Sequence, residues 1–182
     1  MGEPQYNLPE ALTRCFDRSR VALALSTAED DVPLALVNAP FCELTGYDQS
    51  EIVGQNCRFL QGPDTTSDSQ SELHDFVHDS SIDDGRFQVL NYRKDGSAFE
   101  NLVFMSRLRD NSGTTRYIFA SQFNMSPIFD RDKLERNDRH LNKDIRDIER
   151  IGREHGLAML GSARQISDSL SLIARLSLRN GS

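Results

Sequence analysis

No apolar run in this 182-residue chain approaches the ~18 residues that a bilayer span needs. The first residues, MGEPQYNLPEALTR, lack the basic start and apolar stretch of a secretion signal. Gly2 alone would suggest myristoylation, but Tyr6 stands where that motif needs Ser or Thr. Three cysteines at irregular spacing cannot build a disulfide framework, which predicts a reducing, cytoplasmic setting. Low-complexity tracts and internal repeats are absent. Positive charge is scarce as well: residues 1–128 carry 19 acidic against 10 basic side chains, and residues 129–182 carry 9 against 11. The first part would repel phosphate backbones and the tail is barely basic, so nucleic acid is an unlikely partner.

What is present reads as one domain with appendages. Leu8 to Arg18 is an amphipathic helix with Leu12, Cys15 and Phe16 on one face. Arg20 to Ser26 and Pro33 to Val37 are short apolar runs suited to buried strands. Phe41 to Thr45 forms a helical turn closed by Gly46. Asp48 and Glu51 have capping-box spacing. Ser67 to Asp79 is a helix with Leu73, Phe76 and Val77 inward. Three alternating runs follow, joined by Lys94-Asp95-Gly96-Ser97 and Asp110-Asn111-Ser112-Gly113. Their shared faces are Phe87, Val89, Asn91; then Asn101, Val103, Met105; then Ile118, Ala120, Gln122. The fold class is α+β, with a cap helix over 1–19, a core domain over 20–126 and a C-terminal extension over 127–182. The extension carries Leu134, Leu141, Ile145 and Ile148 on one charged helix, and Ile166, Leu170, Ile173 and Leu176 on a second. Gly152, Gly156 and Gly161 loosen the chain between them. Isolated helices this short are marginal, so both stripes need a surface to pack on, within the chain or in another one.

The chemistry concentrates in Gly54-Gln55-Asn56-Cys57-Arg58-Phe59-Leu60-Gln61. One thiol sits between an amide and a guanidinium, and an arginine at a short helical turn reads as an anion clamp. Asn91, Asn101 and Gln122 share a face with Val89, Val103, Ile118 and Ala120. Amides buried there need partners, and each left unpaired costs ~1–3 kcal/mol. A flat heterocycle with alternating donors and acceptors would supply them. His74 and His78, four residues apart, lack a third metal ligand and read as a solvated helix face.

Asn56 to Gln61, NCRFLQ, resembles the signature of light-oxygen-voltage (LOV) photoreceptor domains, a flavin-binding branch of the PAS fold. Asn38-Ala39-Pro40-Phe41, Leu44-Thr45-Gly46-Tyr47, Asn91-Tyr92, Phe99-Glu100-Asn101 and Gln122 extend the likeness over residues 20–125. The resemblance implies a five-stranded antiparallel sheet with flanking helices and a bound FMN, with riboflavin as the alternative. It implies that Asn91 and Asn101 hold the pyrimidine edge, Asn56 and Gln61 the ribityl chain, and Arg58 the phosphate. Leu60, Val77, Val103, Met105 and Ala120 would sandwich the ring. Cys57 would bond reversibly to flavin carbon C4a under blue light, and Gln122 would rotate its amide to pass the change to the flanking helices. Packing near Cys57, Met105 and Leu23 would set the lifetime of that bond.

Two departures carry expectations. Seventeen residues after Cys57, where many LOV domains place a second phosphate-binding arginine, stands His74. This predicts weaker phosphate selection. Glu100 replaces an aromatic and predicts a more polar outer sheet face. The last helix, Arg164 to Arg179, is faintly similar to histidine-kinase dimerisation helices. The phosphoacceptor position there holds Arg164 and no ATP-binding domain follows, so the reading is a sensor, not an enzyme. Its expected output is a change in homodimer association, or in binding to a separate effector, through the terminal helices. The alternatives are a non-photoactive flavin or redox-sensing PAS module and a light-regulated DNA-binding protein.

Overall fold

Alternation of side chains on the strands builds the architecture, because each run has one apolar and one mixed face to bury. The computed structural model describes residue 6 and residues 8–29, 31–125, 143–151, 153–154 and 157–160. In chain order come α1 (Glu10–Arg18), β1 (Ala22–Thr27), β2 (Leu34–Val37), α2 (Ala39–Thr45) and α3 (Gln49–Ile52). A 3₁₀ turn (Cys57–Leu60), α4 (Ser67–His78), β3 (Asp84–Tyr92), β4 (Ala98–Asp110) and β5 (Thr115–Asn124) follow. The helix over 143–151 is α5, and β6 is Leu157–Leu160. The expected five strands form an antiparallel sheet in the order β2-β1-β5-β4-β3.

The turns close where their residues demand it. Gly46 ends α2 in the left-handed region, at φ 77°, and its N–H reaches the Cys42 carbonyl at 2.7 Å. Gly96 takes φ 83° in the β3–β4 hairpin, where the Asp95 carboxylate accepts from the Ser97 N–H at 2.9 Å. The Glu51 carboxylate accepts from the Asp48 N–H at 2.9 Å, as the capping spacing predicts.

Asn38 joins three elements. Its Oδ1 accepts from Leu23 N–H at 2.9 Å and Phe41 N–H at 3.1 Å, and its Nδ2 donates to Val21 O at 2.8 Å and Phe16 O at 3.2 Å. Buried Arg107 donates to the Phe76, Val77 and Asp79 carbonyls, capping the C-terminal end of α4 and tying it to β4.

The sheet has apolar layers on both sides. On the outer face α1 contributes Leu12, Cys15 and Phe16, and α5 contributes Ile145, Ile148 and Ile151. They pack with Leu102, Phe104, Phe119 and Phe123 of the sheet. This settles one expectation and corrects another. Ile145 and Ile148 are fully buried within the chain, the first of the two surfaces open to them, because the sheet's outer face is itself apolar. Glu100 does not make that face polar: it sits part-exposed near the start of β4, while Leu102, Phe104 and Leu108 are buried. Leu134, Leu141 and the second stripe lie outside the described residues.

Residues 157–160 also differ from the loosened connection that the glycines suggest. They form β6, which pairs antiparallel with Arg107–Asp110 of β4. β3 pairs with β4 only as far as Ser106, so the edge beyond it is open to another strand.

Candidate functional site

The inner face of β3, β4 and β5, the 3₁₀ turn and α4 enclose a cavity of about 710 Å³. That volume falls in the ~300–1,000 Å³ range of small-molecule sites. Every residue expected to touch the flavin or its phosphate lines it: Asn56, Cys57, Arg58, Leu60, Gln61, His74, Val77, Asn91, Asn101, Val103, Met105, Ala120 and Gln122. Leu23 does not, because strand alternation sends it to the outer cluster, and β1 lends Ala24 and Ser26 to the cavity instead.

The amides meet because of register. Asn101 pairs across to Val89 and to Asn124, which leaves Asn91 and Gln122 as its diagonal neighbours on the same face. Asn101 Nδ2 donates to Asn91 Oδ1 at 2.8 Å and to Gln122 Oε1 at 3.1 Å. Its Oδ1 has no hydrogen-bond partner among the described residues, although Asn101 is only 1% exposed. A buried carbonyl left in that state costs ~1–3 kcal/mol.

Cys57 opens the 3₁₀ turn, whose N-terminus is capped by Asn56 Oδ1 accepting the Arg58 N–H at 2.9 Å. The cysteine is part-buried and lines the cavity. Dense protein around it pushes the thiol up to about 12, so it stays protonated across the physiological range. Leu60, Val103 and Ala120 are buried around the same space, with Met105 packed against them.

The exposed rim is charged. The Arg58 guanidinium pairs with the Asp31 carboxylate, and Asn56 Nδ2 donates to the Asp31 carbonyl at 2.5 Å. His74 Nδ1 lies 3.6 Å from Asp75 Oδ1. The His74 and His78 rings stack at 4.0 Å, both exposed and both at the cavity rim. Sequence reasoning did not single out Ser67, Gln70 and Ser71 as lining residues. Helical spacing could have found them, since 67, 70, 71, 74, 77 and 78 share one face of α4. Asp31 carries no such signal, because a loop brings it to Arg58.

A flavin fits these residues. Apolar side chains flank a space that ends in convergent amides, and the unpartnered Asn101 Oδ1 calls for a donor such as a ring N–H. No helix among the described residues is long and apolar enough to cross a membrane.

A profile for the PAS domain matches residues 21–127. A blue-light-activated histidine kinase of Rhizobium johnstonii is 32% identical over 131 residues, covering 71% of this chain and 37% of the kinase. Phototropin-2 of rice, Oryza sativa subsp. japonica, is 40% identical over 96 residues, or 53% of this chain and 10% of that protein. The chain thus spans well under half the length of these curated relatives. The crystal structure of the Rhodobacter sphaeroides LOV protein superposes with a TM-score of 0.74 at 26% identity, covering 94% of this chain and 97% of that one. The chain belongs to the PAS domain family, in its blue-light-sensing LOV branch.

Proposed function

We propose that the protein is an FMN-dependent blue-light sensor whose reactive group is the Cys57 thiol. The observation that carries this reading is the buried, unpartnered Asn101 Oδ1 in the cavity that Cys57 lines. When bound, FMN supplies blue-light absorption and a ring carbon open to attack by a thiol. Asn91 and Asn101 hold the pyrimidine edge. Asn56 and Gln61 hold the ribityl chain, and Arg58 and His74 meet the phosphate. Leu60, Val77, Val103, Met105 and Ala120 exclude water from both ring faces. Cys57 keeps its proton until excitation, because burial disfavours the thiolate.

Gln122 carries the change outward. Its Oε1 accepts from Asn101 Nδ2, so rotating its amide breaks that bond and presents NH₂ instead. The next residue, Phe123, packs in the outer cluster with Ile145 and Ile148. Strain at Gln122 therefore reaches α5 through one strand position, and release of α5 would uncover those isoleucines. The output is a change in homodimer association, or in binding to a separate effector, in the cytoplasm. No catalytic activity of the chain's own is needed for that role.

The test is an illuminated absorption series on wild type and Cys57→Ala. Reversible bleaching of the wild type, with a variant that keeps its flavin and stays unbleached, supports the reading. Equal bleaching in both removes Cys57 from it. Scattering in darkness and under blue light checks the output, and an unchanged mass and shape discards self-association.

A further inference from the structure

Both side chains expected to meet a phosphate stand beside carboxylates. Arg58 is paired with Asp31, and His74 lies next to Asp75. Among the described residues, those lining the cavity include one arginine and no lysine against two aspartates. Even with Arg58 free to reach a ligand, a phosphate here would approach two fixed negative charges.

The Asp31 loop is held in place. Val32 sits at φ 49°, a left-handed conformation that a β-branched residue adopts only under tertiary constraint. Its N–H donates to the Glu29 carbonyl at 2.8 Å, and Thr27 N–H donates to Pro33 O at 3.0 Å across the same turn. Asn56, expected on the ribityl chain, donates to the Asp31 carbonyl. The loop backbone is therefore held at the rim, and it carries the exposed Asp31 carboxylate beside Arg58.

We propose that Asp31 is a specificity residue that lowers this pocket's preference for phosphorylated over unphosphorylated flavin. This rests on the flavin reading above. With Arg58 and Asp31 side chains 62% and 68% exposed, solvent screens the pair and the effect is moderate. A phosphate must displace the carboxylate from Arg58 or bear its repulsion, whereas the terminal hydroxyl of riboflavin meets neither cost.

Flavin-free protein is titrated with FMN and, separately, riboflavin, following flavin fluorescence. Wild type is compared with Asp31→Asn and Asp31→Glu. Asp31→Asn is expected to raise the FMN-to-riboflavin affinity ratio by about threefold to tenfold, mostly through tighter FMN binding. High salt shrinks that gain, and Asp31→Glu stays near the wild-type ratio. Equal changes for both flavins, or weaker FMN binding in Asp31→Asn, would mean that Asp31 only positions Arg58 or the loop, and would overturn the proposal. Failure of wild type to bind either flavin removes the flavin reading and this inference together, while binding with an unaltered ratio removes this inference alone.

Discussion

Along β5, Phe119, Ser121 and Phe123 face one way and Ile118, Ala120 and Gln122 the other. The outer set is sealed by α1 and α5, with Phe16 edge-to-face on Phe119 at 6.0 Å. The inner set faces a cavity and places amides where apolar side chains would have closed it. Two buried asparagines sharpen the contrast. Asn38 engages both side-chain atoms with backbone groups and is finished by the fold alone. Asn101 spends its donor on Asn91 and Gln122 and leaves its acceptor open. A structural amide is satisfied by its own chain, and a binding amide is left incomplete by it.

The largest effect should come from the sealed face. Phe16→Ala is expected to cost about 3–5 kcal/mol in urea unfolding, because a fully buried ring packed on Phe119 leaves a cavity. A loss below ~1 kcal/mol would mean that the outer layer is loosely packed. On the open face, Asn101→Leu should weaken flavin binding at least about tenfold while changing flavin-free stability by only ~1 kcal/mol. Comparable losses in both would place Asn101 with Asn38 as a structural amide.

Cys57 yields a pH signature. Its folded value lies near 12 against an ordinary 9.0, so the unfolded chain loses the proton first as pH rises. Stability from this group is complete below pH 9 and falls as pH rises through the window to about 12. Relative to Cys57→Ala, flavin-free wild type should lose about 1 kcal/mol between pH 9 and pH 10. A flat difference would mean that the cavity hydrates the thiol. The smallest effect belongs to Ser121, whose buried Oγ has no partner among the described residues. Ser121→Ala should be neutral or stabilise by about 0.5–1 kcal/mol in thermal or urea unfolding, with flavin affinity unchanged. A clear loss of stability would show that the hydroxyl is satisfied after all.

Much of this was legible from residue order. Alternation on three strands placed Asn91, Asn101 and Gln122 on one face, because a period of two leaves no other choice once the hairpin turns are set. The Asn56–Gln61 motif marked the opposite wall. What stayed hidden depends on tertiary approach. Ile145 and Ile148 have a spacing equally suited to a partner chain, and only the apolar outer face decides for the chain itself. β6 is a four-residue strand whose formation depends on an open edge of β4. Arg107 reads as an ordinary strand charge until the end of α4 is seen beneath it. Asp31 enters the site through a loop, and nothing in its neighbours announces Arg58.

The central claim is that the unfinished face is completed by a flavin within reach of Cys57. Its most direct test is the visible spectrum of the flavin-reconstituted chain in darkness, under blue light and through dark recovery. A blue-absorbing band that fades on illumination and returns in the dark is expected. A chain that takes up no flavin, or a bound flavin whose band is indifferent to light, would contradict it.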